Sequence, residues 1–452
     1  MKTNPTNTDP LKHPLWRASH VALLARAIER AEALTEPADL MLRHFFRENP
    51  AMGQKDRALI AEGVFAYLRR RRSTNAMAQT TRWQKLALLT LTRENFITLE
   101  EARALAQSVN DRAWVSGLPE RFSFPLTDAE NADVPDVLWA LLNHEFDQET
   151  VNALSQSWQK TAPFDLRVNT LKTSRDEAFA ALKKEGFDVE ATPYSPFGLR
   201  LFGRPALAKN AWLVDGRLEV QSEGSQLIGL LTAPKRGEMV ADFCAGAGGK
   251  TLLLGMLMRS TGRLYAFDVS EMRLQKLSPR LKRSGLSNVH PQRLSHENDA
   301  KLKRLAGKMD RVLVDAPCSG TGTFQRNPDL KWKFSEKALA ELNAKQKAIL
   351  MSAARLVKPG GRLVYATCSV LQAENEAIVE AFLKDCPMFS LESAEDLLKE
   401  AKVLLTPKKA WAEEKSDESK KAFTETIKKS YLKLYPHLHH TDGFFAAVMR
   451  RR

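Results

Sequence analysis

Apolar positions recur at helical spacing through the first hundred residues. In WRASHVALLARAIERAEAL the positions Val21, Leu24, Ala27, Ile28 and Leu34 fall on one side of a 3.6-residue period. DRALIAEGVFAYLRRRR repeats the pattern with Leu59, Ile60, Val64, Phe65 and Leu68, so residues 15–115 are read as helices. The second stretch ends in Arg69, Arg70, Arg71 and Arg72. Such a run suits a solvated helix C-terminus, where cations meet the dipole, as well as it suits contact with RNA. Pro119, Pro125 and Pro135 then punctuate a junction near residues 117–136.

Beyond residue 160 the pattern changes. PFDLRVNTLK is strand-like, DEAFAALKKEGF is a short helix closed by Gly186, and strand-like pieces follow at Leu199–Leu201 and Trp212–Val214. From 236 to 390 the short apolar runs MVADFCA, RLYAFDV, RVLVDAP and RLVYATCS alternate with helical stretches such as KTLLLGMLMRS and EKALAELNAKQKAILMSAARLV. Buried strands alternating with helices predict a doubly wound, Rossmann-like α/β domain with a mainly parallel sheet. The Lys- and Glu-rich stretch 400–435 is expected to be a mobile insertion before a final strand, GFFAAVMRR. The expected division is an all-α domain over 1–135, a small α+β module over 136–235 and the α/β domain over 236–452.

Composition narrows the function classes. The 452 residues are 43% hydrophobic and 27% charged, which excludes collagen, bulk disorder and a disulfide scaffold. Lys and Arg total 68 against 54 Asp and Glu, a formal charge of +14 that favours polyanions, nucleic acid first. A membrane surface is the lesser alternative, because no basic amphipathic stretch carries an aromatic anchoring face. No apolar run approaches the roughly 20 residues of a bilayer span, and MKTNPTNTDP lacks the apolar stretch of a signal peptide. The cysteines are Cys244, Cys318, Cys368 and Cys386, with no C-x-x-C pair. The expectation is a cytoplasmic monomer without metal.

Candidate chemistry sits at strand ends. In Asp242-Phe-Cys-Ala-Gly246-Ala-Gly248-Gly249-Lys250-Thr251 a strand runs into a glycine turn and a helix starts near Lys250. The Walker A pattern G-x-x-x-x-G-K-S/T needs glycine where this chain has Cys244, and G-x-G-x-x-G fails at Thr251. Asp268, about 20 residues on at another strand end, is placed to accept ribose hydroxyls. With no phosphate cradle, S-adenosylmethionine fits better than NAD. Asp315-Ala-Pro-Cys318 and Thr367-Cys368-Ser369 close two further strands, so Asp242, Asp268, Asp315 and Cys368 are expected to face one crevice. Cys386 reads as a buried small hydrophobe and Cys244 as packing beneath the glycine turn. Two cysteines at neighbouring strand ends fit a distinct chemistry. A thiolate added to carbon 6 of a pyrimidine makes carbon 5 nucleophilic toward a methyl sulfonium, and a base then removes the carbon 5 proton so that the thiol can leave.

The motifs DFCAGAGGKT, FDVSEMRL, DAPCSGTGTFQRNPDLKW, ATCSVLQAENE and TDGFFAAV resemble, in that order, those of the Sun/Fmu family of RNA cytosine-5 methyltransferases. LRVNTLK and LEVQSEGSQL resemble that family's module preceding the catalytic domain, and DRALIAEGVFAYLRR weakly resembles the NusB-like RNA-binding domain of its bacterial rRNA members. The resemblance implies Cys368 as nucleophile, Cys318 as the residue aiding product release, Asp315 orienting the target base and Lys250 near the methyl-transfer site. It implies that Cys244, Ala245, Gly246, Ala247, Gly248, Gly249 and Lys250, with Asp268, Arg273 and Asp315, hold S-adenosylmethionine. The acid meeting the adenine falls in SHENDAK, among Glu297, Asn298 and Asp299, and Asp299 is taken. Gly246 and Ala247 stand where the family commonly has Ala and Pro, which loosens the loop backbone. The substrate implied is RNA, 16S rRNA ahead of tRNA. The rivals are a uridine-5 methyltransferase, which needs the same addition chemistry, and an RNA-binding ribosome assembly factor with secondary activity. Adenine N6 methylation is disfavoured, because Asp315-Ala-Pro-Cys318 stands where an Asn/Asp-Pro-Pro-Tyr-like loop belongs.

Overall fold

In the computed structural model, which describes residues 16–203, 207, 209–405 and 430–452, the chain divides into two compact units. The first runs through Asn143 and takes in 158–160 and 327–334; the second holds the rest.

The helical unit follows the apolar stripes. Helices Ala18–Glu32, Ala38–Glu48, Gln54–Arg69, Arg71–Ala78 and Trp83–Arg93 bury Leu24, Ile28, Phe45, Ile60, Val64, Leu68 and Leu89 in one core. Close approach of the first and third helices rests on Gly63, where an added Cβ would lie 2.7 Å from Leu24 Cδ1. Leu34 falls past the end of the first helix at φ 51°, outside the stripe it was assigned to.

The arginine run is neither a solvated terminus nor a free cationic face. Arg70 pairs with Glu94 at 2.7 Å, and Arg71 grips Glu32 at 2.7 and 2.8 Å. Arg72 bonds Asp136 and the Val134 carbonyl, both at 2.7 Å. The Arg69 carbonyl accepts the Lys331 ammonium at 2.8 Å, and the Leu68 carbonyl accepts the Trp332 indole at 2.8 Å. Lys331 is fully buried, and that burial pushes its pKa down to about 7. The segment 327–334 thus belongs to the helical unit although its neighbours in sequence do not.

In the second unit, β1 (Phe164–Val168), β2 (Val189–Ala191), β3 (Gly198–Leu201) and β4 (Leu218–Val220) form an antiparallel sheet in the order β2-β3-β1-β4. Helix Arg175–Lys184, capped by Ser174, buries Ala178 and Leu182 against it. Trp212–Val214, expected as strand, is a helical turn started by Asn210, whose side chain accepts the Trp212 N–H at 3.0 Å.

The large sheet contains β5 (Met239–Asp242), β6 (Arg263–Asp268), β7 (Val289–Arg293), β8 (Met309–Asp315), β9 (Val357–Thr367), β10 (Phe389–Glu392), β11 (Tyr431–Leu434) and β12 (Phe444–Arg451). Its order is β10-β12-β9-β8-β5-β6-β7, with β11 paired to β12. Strands β5 to β9 run parallel, and β10 to β12 add antiparallel edges. The order reverses between β5 and β8, so a crevice opens at their carboxyl ends. Of the expected insertion over 400–435, the stretch 406–429 lies outside the described residues; Tyr431–Leu434 is strand.

Candidate active site

A cavity of about 400 Å³ lies at that switch point. Its wall contains Cys244, Ala245, Gly246, Ala247, Gly249, Lys250, Asp268, Arg273, Asp315, Cys318 and Cys368. Its volume and its mix of apolar and charged lining suit a small-molecule site.

The glycine turn is built to carry acceptors and bare backbone. Gly246 adopts φ +56°, and its N–H donates to Asp268 Oδ2 at 2.8 Å. Asp268 Oδ1 accepts the Ser270 N–H at 2.7 Å, so the carboxylate is fixed from both sides. Gly248, at φ +87°, precedes helix Gly249–Leu257; a Cβ there would meet Leu277 Cδ1 at 2.1 Å. Gly248 therefore serves helix packing, and it is absent from the cavity wall.

Two other expectations change. Asp299 caps a 3-10 turn (Ala300–Leu305): it accepts Ser295 N–H and Oγ–H and Lys301 N–H at 2.8 to 2.9 Å. Those bonds hold its carboxyl down at about 2. The acid of SHENDAK that reaches the cavity is Glu297, beside Leu294. Asp242 does not face the crevice either. It lies beneath, accepting Thr251 Oγ1–H at 2.7 Å, and burial pushes its carboxyl up to about 7. Cys244 both packs under the turn and lines the cavity, and burial raises its thiol. Cys386 is buried in the same core, as expected.

Lys250 Nζ donates to Asp315 Oδ2 at 2.7 Å and lies 5.0 Å from the Phe444 ring centroid. Cys318 Sγ stands 3.2 Å from Cys368 Sγ, too far for the ~2.05 Å of a disulfide. Their hydrogen bond, followed by burial, raises the Cys318 thiol.

The loops carrying these sulfurs are tied together. Gly322 N–H donates to the Cys368 carbonyl at 2.9 Å, and Gly443 N–H to the Gly322 carbonyl at 2.7 Å. A Cβ on Gly322 would sit 2.2 Å from the Gly443 oxygen. Buried Glu374 accepts the Ser319 N–H at 2.8 Å and the Gln346 amide at 3.0 Å, and Asn375 donates to the Ser369 carbonyl at 3.0 Å. Glu374, Gln346 and Lys345 were missed as individual residues. The signal for Glu374 was the acidic ENE closing ATCSVLQAENE; nothing distinguished Lys345 and Gln346 from other polar positions on their helix.

The cavity accommodates a nucleoside-type cofactor. A carboxylate has about four acceptor positions, and Asp268 spends one on each of two backbone N–H groups. Two remain for a vicinal diol. Among the described residues no His, Cys, Asp and Glu cluster could hold a metal ion, and no helix is long and apolar enough to cross a membrane.

Comparison with known proteins converges on the same region. Residues 229–450 match the family model described as 16S rRNA methyltransferase RsmB/F, and 134–206 match the RsmF/B-like ferredoxin-like domain. The chain is 33% identical over 356 residues to the probable ribosomal RNA small subunit methyltransferase B of Synechocystis, covering 78% of this chain and 72% of that protein. It is also 33% identical over 296 residues to the human 28S rRNA (cytosine(4447)-C(5))-methyltransferase, covering 64% of this chain but 34% of that one. The crystal structure of PH0851 superposes with a TM-score of 0.72 at 25% identity, covering 96% of this chain and 99% of that one.

Proposed function

The chain belongs to the RsmB/F family of 16S rRNA methyltransferases, and from that premise we propose that it methylates carbon 5 of a cytosine in small-subunit ribosomal RNA. The observation that carries the reading is the pair of thiols, Cys318 and Cys368, 3.2 Å apart in the wall of the cavity that also contains Asp268 and the glycine turn.

Cys244 to Ala247, Gly249 and Asp268 would hold S-adenosylmethionine, with Leu294 and Glu297 beside its base and Arg273 and Lys345 in the same wall. The cofactor supplies an electrophilic methyl group. Cys368 is the nucleophile. Hydrogen bonding and burial raise the thiol of Cys318, whose sulfur stands 3.2 Å away, and Cys368 is the thiol that adds to carbon 6. Asp315, steadied by Lys250, orients the cytosine by accepting from its exocyclic amine. After methylation a base takes the carbon 5 proton, the 5,6 double bond re-forms and the carbon 6–sulfur bond breaks to release Cys368, a step that Cys318 aids. The helical unit and the small sheet are assigned to RNA binding, and the α/β fold to chemistry. The protein acts as a cytoplasmic monomer, on rRNA in preference to tRNA.

Adduct trapping tests this order of steps. Incubated with unmodified small-subunit rRNA and cofactor, Cys318→Ala should accumulate a protein–RNA complex that survives denaturing electrophoresis. Cys368→Ala should form neither adduct nor product. Adduct from Cys368→Ala and none from Cys318→Ala would reverse the roles, and normal methylation by the double variant would end the covalent mechanism.

A further inference from the structure

A second cavity, of about 450 Å³, shares Ala247 with the first. Its wall includes Glu219 and Val220 from β4, Val214 from the helical turn, and Lys276, Arg280 and Arg283 from helix Glu271–Ser284. Arg280 donates to Glu219 at 2.9 Å and to the Ala247 carbonyl at 2.6 Å; Arg283 donates to Glu219 at 2.6 Å. Behind them Arg167 of β1 stands opposite Glu219 in the ladder. It is buried, and its Nε and Nη1 lack hydrogen-bond partners. Lys276, one turn before Arg280, is exposed.

Three guanidiniums therefore surround one carboxylate, and Lys276 adds a fourth cation to the same cavity wall. The uncompensated charge stands beside two exposed apolar side chains, Val214 at 61% and Val220 at 47% exposure. A monovalent counterion would satisfy part of the charge and none of the apolar surface. A nucleotide satisfies both, with its phosphate on the cations and its sugar and base against the valines. Ala247 stands in the wall of this cavity and in that of the reaction site. We propose that it holds a phosphate and adjoining nucleoside of the RNA strand that flanks the target cytosine. The proposal rests on the reading of RNA as substrate, and it adds Lys276, Arg280 and Arg283 as strand-positioning residues.

Lys276 provides the test, because its removal breaks none of the bonds described here. Binding of unmodified small-subunit rRNA transcript would be measured against salt for wild type, Lys276→Gln and Lys276→Arg. One lost phosphate contact should lower the slope of log affinity against log salt by about 0.7 to 0.9 and weaken binding roughly three- to tenfold at low salt. Affinity for S-adenosylhomocysteine should stay unchanged, and Lys276→Arg should restore RNA binding. Equal slopes for Lys276→Gln and wild type would overturn the proposal. So would adenosine 5′-monophosphate binding to wild type but not to Lys276→Gln while RNA affinity is unmoved, which would assign the cavity to a free nucleotide. Wild type that fails to retain the transcript at all would overturn the substrate reading itself, a result distinct from equal behaviour of wild type and variant.

Discussion

Replacing Asp268 by Asn tests the cofactor end of the site with the least disturbance of shape. The carboxylate accepts the Gly246 N–H on one oxygen and the Ser270 N–H on the other, at 2.8 and 2.7 Å. Two of about four acceptor positions then remain for the ribose hydroxyls. Asparagine keeps one oxygen and turns the other into an NH₂ that confronts a backbone N–H. One turn contact and one ribose contact are lost, and the negative charge goes with them. Hydrogen bonds to a charged group contribute about 1.5–3 kcal/mol each. The ribose term alone should raise the dissociation constant of S-adenosylhomocysteine by about 10- to 150-fold, at about 1.4 kcal/mol per decade. The turn term should appear separately, as a drop of about 1–3 kcal/mol in stability for the N–H left unpaired. Calorimetric titration with S-adenosylhomocysteine, run beside urea unfolding, reads the two terms independently. A variant that loses stability yet binds the cofactor product within twofold of wild type would refute the ribose assignment. Asp268 would then be a staple of the glycine turn and nothing more.

Three other outcomes follow from the same geometry. Asp242 has its carboxyl raised by burial from 3.8 to about 7, so the folded state binds a proton that the unfolded chain has released. Its stabilising contribution is complete below about pH 4 and is lost as pH rises through 7, at most about 4 kcal/mol; Asp242→Asn should flatten that part of the urea stability profile between pH 4 and 8, and an unchanged pH dependence would count against a protonated Asp242. Gly322→Ala should cost about 1–3 kcal/mol of stability through its contact with the Gly443 backbone, and it should abolish methyl transfer while leaving cofactor affinity within twofold; full activity would show that the 319–323 loop is not positional. Glu374→Gln keeps the shape but loses the charged acceptor for Ser319, so kcat should fall about 10- to 100-fold, as for one charge-assisted bond, with KM for RNA little changed; a change confined to KM would place Glu374 in RNA binding instead.

Most of the α/β architecture was legible because each of its signals is local. A buried parallel strand needs a short continuous apolar run, and MVADFCA, RLYAFDV, RVLVDAP and RLVYATCS are such runs at β5, β6, β8 and β9. The turn after β5 needs Gly246 at positive φ, and its glycines are visible in one dimension. What was not legible depends on which partner wins a side chain. SHENDAK offers three polar candidates, and the choice between Glu297 and Asp299 was decided by Ser295 and Lys301, whose N–H groups claim Asp299 for a cap. Asp242 looked like its neighbours at the other strand ends until Thr251 covered it. Trp212–Val214 has strand composition, but the side chain of Asn210 closes a helical turn first.

The basic residues carry this point furthest. A formal charge of +14 is a property of the whole chain, whereas binding a polyanion requires cations in excess of the carboxylates that pair with them. The most conspicuous cluster, Arg70 to Arg72, fails that requirement: each guanidinium meets Glu94, Glu32 or Asp136. Such pairs hold helices together and release few counterions when RNA arrives. The less conspicuous set Lys276, Arg280 and Arg283 recurs at i, i+4 and i+7 on one helix, and there a single glutamate is shared among several cations. Their spacing alone puts those three on one helix face, although nothing in the sequence singled them out. Excess over Glu219 required knowing that β1 and β4 bring Arg167 to the same carboxylate across 52 residues of sequence. Salt-dependent RNA affinity should therefore respond more to Lys276 than to any residue of the arginine run, although the run holds the greater density of charge.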